Sequence, residues 1–235
     1  MDRPTALLFD LDGTLVDSAV TIALALSALS AERGGAPVDV GTARGLVSKG
    51  ASALVRQSLG EAAGDEAEDL AAFRRILADI PADPAIMFPG VPEALASLAG
   101  HPCAVVTNKP AGLARLLLDQ LDLSRFFGAV IGGDTLPLCK PHPEPLRYAV
   151  AVLQAGRQAM MIGDSPVDAR AAAAAAMPFL LYEKGYEAAG CRDLPVFASF
   201  AAFDDLPPII AEASQSLTSA VAGGAMEIMA KPEAT

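Results

Sequence analysis

The stretch TALLFDLDGTLVDS, residues 5–18, decides how this chain is read. Its first half is an apolar run with the length of a buried strand, and the run stops at Asp10. A second acid, Asp12, follows two positions on, with Gly13 and Thr14 behind it. A strand that ends in Asp10 and turns through these residues aims both carboxylates at one centre, where they repel unless a cation or a shared proton relieves them. Capping the next helix would need only one acid. The pair is therefore read as functional, one acid attacking and holding a metal while the other carries a proton.

Working outward, apolar runs rich in Val, Ile and Leu recur at 103–107, 129–132, 159–163 and 178–182, with helical stretches between them. This alternation predicts an α/β fold, a Rossmann-like parallel sheet with helices on both faces. Ligands of such sheets gather at the carboxyl ends of the strands. The polar residues just past the runs, Asp10, Thr107, Asp134 and Asp164, are thus the candidates to follow.

Residues 16–86 break the rhythm. They hold no strand-like run but show helical periodicity in VTIALALSALSAERGG, ASALVRQSLG and EAEDLAAFRRILADI, and end in the proline-punctuated PADPAIMFPG. An all-helical insert between the first two strands is expected, with hinges near 15–18 and 82–89. The predicted organisation is a catalytic core of residues 1–15 and 87–214, a helical cap of 16–86 and a flexible tail of 215–235, after a last short helix around 204–214.

Composition narrows the function. The 235 residues are 52 % hydrophobic and 19 % charged, enough for a buried core. A net charge of −11 with no dense Lys/Arg cluster argues against nucleic acid as partner. No apolar run approaches the roughly 18 residues of a membrane span, and the early break at Asp10 is unlike a signal peptide. Cys103, Cys139 and Cys191 form no CxxC pair and read as free thiols in a reducing cytoplasm. His101 and His142 lack partners at metal or triad spacing, and no GxSxG elbow supports a Ser/His/Asp hydrolase.

DLDGTLVDS resembles the first motif of the haloacid dehalogenase superfamily of phosphohydrolases. Three further stretches fit in order: VVTNK at 105–109, Lys140 in CKPHPEP, and MIGDSPVDA at 161–169. The helical insert is similar to that superfamily's C1-type cap. Within it, the phosphoglycolate phosphatase group resembles this chain over residues 5–210, through VIGGD, KPHPEPL, IGDSPVDARAA and the KGY turn at 184–186.

The resemblance implies a phosphatase acting on a small phosphorylated metabolite, 2-phosphoglycolate first among them, as a monomer or homodimer. Asp10 would be the nucleophile that forms an aspartyl-phosphate, and Asp12 would protonate the leaving alkoxide and later activate water. The metal would be Mg²⁺, held by Asp10, the backbone carbonyl of Asp12 and Asp164, with Asp168 behind it. Thr107 and the amide of Asn108 would bind phosphoryl oxygens, and Lys140 would neutralise them. Val167 departs from the group, which often has asparagine there. Arg44, Lys49 and Arg56 are the cap cations, with Ser48-Lys49-Gly50 as the expected specificity element. Lys49 and Arg56 would share a helical face unless Gly50 breaks the helix.

Rival readings are a sugar-phosphate phosphatase, a phosphohexose mutase, a phosphonate hydrolase, a dehalogenase and a non-catalytic binding protein. Asp12 and Asp164 argue against a dehalogenase, Asp12 against a phosphonate hydrolase, and the full set of acids with Lys140 against a non-catalytic protein.

Overall fold

The computed structural model describes residues 4–47, 50–156 and 158–222. The core is a six-stranded parallel sheet with strands β1 (Ala6–Phe9), β2 (Cys103–Val106), β3 (Ala129–Ile131), β4 (Ala159–Gly163), β5 (Phe179–Tyr182) and β6 (Ala198–Phe200) in the order β3-β2-β1-β4-β5-β6. β1 is apolar throughout because it lies at the centre, paired with β2 on one side and β4 on the other, and buried on both faces. β6 had no counterpart in the sequence reading: its three residues, Ala-Ser-Phe, form an edge strand with no apolar run.

Alternate side chains of the strands supply two apolar layers. Leu7, Phe9, Val105, Met160, Ile162 and Leu180 pack with α5 (Val91–Ser97), α6 (Ala111–Gln120) and α9 (Leu206–Ala222). Leu8, Ala104, Val106, Met161 and Leu181 pack with α7 (Glu144–Val152) and α8 (Pro166–Ala175). The last helix is longer than the 204–214 expected. Its apolar stripe, Leu206, Ile210, Ala213 and Leu217, continues onto the same layer, and after Pro207-Pro208 in the first turn the sequence has no helix breaker before Gly223-Gly224. Residues 215–222 are therefore helical rather than tail, and the remainder of the expected tail, 223–235, lies outside the described residues.

Between β1 and α5 lie four helices, α1 (Ala19–Glu32), α2 (Val40–Arg44), α3 (Ala51–Leu59) and α4 (Glu66–Asp79). They gather an apolar cluster of their own around Ile22, Leu26, Leu29, Leu54, Val55 and Phe73. α4 starts at Asp65, whose carboxylate accepts from Ala67 N and Glu68 N, with Glu66, Glu68 and Asp69 in the first turn favoured by the helix dipole. The five-residue α2, capped by Asp39, is too short to show periodicity and was not foreseen. The two connections to the core run side by side: Asp17 N donates to Ile86 O at 2.7 Å, Phe88 N to Leu15 O at 3.1 Å, and Val16 bridges Met87. Among the described residues, no helix is long and apolar enough to cross a membrane.

Candidate active site

The strand order places the site. The chain lays β1, β2 and β3 outward in one direction, then returns to set β4 on the other side of β1, so a crevice opens at the carboxyl ends of β1 and β4. Asp10 follows β1 and Asp164 follows β4, and Phe9 stands opposite Ile162. The acids of FDLDG and IGDS, 154 positions apart in sequence, are thereby strand-end neighbours.

Asp164 is held from both sides. Thr14 Oγ1 donates to its Oδ1 at 2.8 Å, and Tyr186 N donates to Oδ2 at 2.7 Å. Both approaching turns carry glycine. Gly13 has φ +91°, and a Cβ there would lie 2.5 Å from Asp164 Oδ2, while a Cβ on Gly185 would lie 2.1 Å from Asp164 Cβ. The glycine of DLDGT and the glycine of the KGY turn are therefore required by one carboxylate. Asp168 serves two masters at the start of α8. Its Oδ2 accepts from Ser165 N at 3.2 Å and from Ser165 Oγ at 2.7 Å as a capping box, and its Oδ1 accepts from Lys140 Nζ at 2.6 Å. Lys140 Nζ also lies 2.9 Å from Asp10 Oδ1.

Asp10, Asp164 and Asp168 each place a carboxylate oxygen within 4.8 Å of the others. Burial, then the charge of Asp168, pushes the Asp10 carboxyl up to about 7, against the pull of Lys140. Asp164 is raised well above the usual carboxylate range by burial and by its two acidic neighbours. Burial alone lowers the Lys140 pKa, but the charges and hydrogen bonds of Asp10 and Asp168 hold it above its ordinary value. One ammonium, paired with Asp10 and Asp168, thus stands against three buried carboxylates. An all-oxygen donor set with excess negative charge fits a hard divalent cation such as Mg²⁺.

The side chain of Asp12 does not join that cluster. It is met by Lys109 Nζ, 2.9 Å from Oδ1 and 3.1 Å from Oδ2, and by Ser18 Oγ, which donates to Oδ1. Thr107 is buried past the end of β2, with its Oγ1 accepting from Lys109 N at 3.1 Å. The Asn108 side chain turns away to donate to Lys140 O at 2.9 Å, which ties the β2 end to the lysine loop. Asp134, a strand-end candidate, instead holds the start of α6 by accepting from Ala111 N at 2.7 Å. His101 Nδ1 lies 2.9 Å from Thr5 O, and His142 Nδ1 accepts from Glu144 N at 3.2 Å.

The cap cations separate. Arg44 on α2 reaches Asp17 Oδ2 at 2.7 Å, and Tyr186 OH donates to the other oxygen of Asp17 at 2.8 Å. Arg56 lies on α3, which begins only after Gly50 at φ +90°, in a hollow lined by residues of the insert. The glycine thus interrupts the single helix considered for Lys49 and Arg56. Lys49 and Ser48 lie outside the described residues. Sequence reasoning assigned no role to Thr14, Asp17, Ser18, Lys109 or Tyr186, although all stand inside quoted motifs. Apart from Ser18, which is six positions from Asp12, their partners are distant in sequence, and no spacing rule links them.

Comparison with known proteins follows the same lines. Residues 4–176 match the family model described as haloacid dehalogenase-like hydrolase. A phosphoglycolate phosphatase of Cereibacter sphaeroides is 39 % identical over 213 residues, covering 86 % of this chain and 95 % of that protein. Another phosphoglycolate phosphatase, of Rhodospirillum rubrum, is 40 % identical over 217 residues, covering 86 % and 90 %. A haloacid dehalogenase-like family hydrolase of Streptococcus pneumoniae, 24 % identical, superposes with a TM-score of 0.74 over 88 % of this chain and 98 % of its own, and shares the fold.

Proposed function

We propose that this chain, which belongs to the haloacid dehalogenase-like hydrolase family, hydrolyses 2-phosphoglycolate to glycolate and phosphate with Asp10 as the nucleophile. The observation that carries the reading is the placement of Asp10 at the switch point, paired with Lys140 and within 4.8 Å of the carboxylates of Asp164 and Asp168. The substrate follows the names of the curated relatives, which match most of the chain.

In the first step an Asp10 oxygen attacks phosphorus and the ester P–O bond breaks, while Asp12 gives its proton to the departing alkoxide. In the second, Asp12 takes a proton from water, the water oxygen attacks the phosphorus of the aspartyl-phosphate, and phosphate leaves with Asp10 restored. Lys140 keeps the Asp10 carboxylate oriented and offsets phosphoryl charge. Thr107 Oγ1 and the Asn108 amide receive phosphoryl oxygens at the end of β2. Mg²⁺ would be held by Asp10, Asp164 and the Asp12 carbonyl, with Asp168 beside it. When bound it would neutralise charge on the transferring group.

Residues 16–86 act in this reading as a cap that moves on the paired connections at 15–18 and 82–89, over a core of 1–15 and 87–222. Ser48-Lys49-Gly50 is its specificity element, with Lys49 meeting the substrate carboxylate. The free cysteines fit a reducing cytoplasm.

The test is a panel of phosphate monoesters assayed with Mg²⁺ and again with EDTA, containing 2-phosphoglycolate, several sugar phosphates and pyrophosphate. The highest kcat/KM is expected for 2-phosphoglycolate, with activity lost in EDTA. A sugar phosphate turned over faster would replace the substrate but keep the reaction. Full activity in EDTA would remove the metal.

A further inference from the structure

We propose that Lys109 is a positioning residue, which holds the Asp12 carboxyl on the leaving-group side of the site and out of the metal cluster. The inference rests on the phosphatase reading above and deepens it. Lys109 Nζ contacts both oxygens of Asp12, at 2.9 and 3.1 Å, and both side chains are more than nine-tenths buried. Ser18 Oγ adds a second donor on Oδ1. Two donors converging on a short side chain fix its rotamer in a way one could not.

The contrast with Lys140 gives the arrangement its meaning. Each aspartate of DLDGT has its own ammonium, Lys140 for Asp10 and Lys109 for Asp12. Asp10 is thereby grouped with Asp164 and Asp168, whereas Asp12 is drawn to the cleft between insert and core that Ser18, Thr21, Ile86, Lys109 and Leu113 line. A freed Asp12 carboxylate, only two positions along the chain from Asp10, would be drawn inward by a cation bound in the cluster. Held by Lys109, it stays where a leaving alkoxide departs. Lys109 N also donates to Thr107 Oγ1 at 3.1 Å, so one residue ties the proton carrier to the expected phosphoryl-binding strand end.

The experiment compares kcat/KM for three esters in wild type, Lys109→Met, Lys109→Arg and Asp12→Asn, with and without Lys109→Met. The esters are 2-phosphoglycolate, ethyl phosphate, which has an alkoxide leaving group but no carboxylate, and p-nitrophenyl phosphate, whose leaving group departs without a proton. A positioned proton donor contributes about 10²- to 10⁴-fold. Lys109→Met is therefore expected to lower kcat/KM about 100-fold or more on both alkyl esters and less than about 10-fold on the nitrophenyl ester. Lys109→Arg should recover part of the loss, and Lys109→Met should cost little more once Asp12 is asparagine. Equal losses on all three esters would overturn the inference, as would a loss confined to 2-phosphoglycolate, which would make Lys109 a carboxylate binder. Full additivity of Lys109→Met with Asp12→Asn would overturn it, and if Lys109→Met is poorly stable, equal losses on the three esters in Lys109→Arg overturn it in its place. Wild type inactive on every ester would overturn the phosphatase reading and this inference with it.

Discussion

The carboxyl edge of the sheet and the helical insert put their charges to different uses. At the edge, Lys140, Asp10, Asp164 and Asp168 are all nine-tenths or more buried and crowd one another. At the junction with the insert, Arg44 and Asp17 pair with side chains 43 % and 33 % exposed. The first arrangement is held in place against electrostatic cost by the strands, the capping box and two glycines. The second is wet and replaceable. Chemistry belongs where position is over-determined, and movement where contacts are weak.

The sharpest way to break this contrast is Asp10→Asn. Turnover should fall below detection, because no other group is placed to attack. The fold should persist, with thermal stability in EDTA equal to or above wild type, since one of three crowded carboxylates becomes neutral. Circular dichroism melts with assays on 2-phosphoglycolate check both halves. Substantial residual turnover would remove Asp10 from the chemistry.

Lys140→Met keeps the stem but leaves Asp10 and Asp168 buried without their ammonium. Breaking a buried pair from one side costs about 3–5 kcal/mol, so denaturant unfolding in EDTA should show a loss of that order together with lost activity. Added Mg²⁺ should recover stability but not rate. A variant as stable as wild type in EDTA would mean the cluster is less charged than its geometry implies.

A third test uses pH. The folded protein without metal keeps the Asp10 proton up to about pH 7, while the unfolded chain releases it near 3.8. Between those values the unfolded state binds fewer protons, so stability falls as pH rises from about 4 to 7. Asp164, raised by burial and by Asp168 and Asp10, acts with the same sign. Mg²⁺ binds the ionised carboxylates, so its stabilising effect should grow across this window. Melting temperatures measured from pH 5 to 7.5, in EDTA and in Mg²⁺, should diverge with rising pH; parallel curves would contradict the raised carboxyls.

The same contrast explains what the sequence made legible. Strands β1, β2, β4 and β5 are short, continuous apolar runs because both faces are buried, and a polar residue follows each where the chain leaves the sheet. Asp10, Thr107 and Asp164 could be found from that pattern alone, though the pattern also flagged Asp134, which anchors α6 instead. β6 and α2 escaped because three and five residues carry too little periodicity. The partners of the acids were beyond reach for another reason. Lys109 lies 97 positions from Asp12, Tyr186 169 from Asp17, and Thr14 150 from Asp164. Only the strand order brings them together, and local sequence does not encode which residues a crossover will set side by side.

The smallest expected effect lies at the junction. Arg44 on α2, Asp17 in the first connection and Tyr186 in the core form a chain that joins insert to core, and the backbone amide of the same tyrosine holds Asp164. Exposed ion pairs contribute about 0–1 kcal/mol, so Arg44→Ala should lower stability by no more than that. Tyr186→Phe removes the hydroxyl but keeps the amide on Asp164, and should resemble Arg44→Ala in stability. In catalysis both should raise KM a few-fold while kcat stays within about twofold, because what weakens is the closed placement of the insert rather than the carboxylate cluster. Gly185→Ala, one residue away, separates the two roles. Its Cβ would press on Asp164 itself, so it should depress kcat strongly where Tyr186→Phe does not. If Arg44→Ala instead abolished kcat, the wet junction would be part of the catalytic centre, and the division between positioned edge and movable insert would fail.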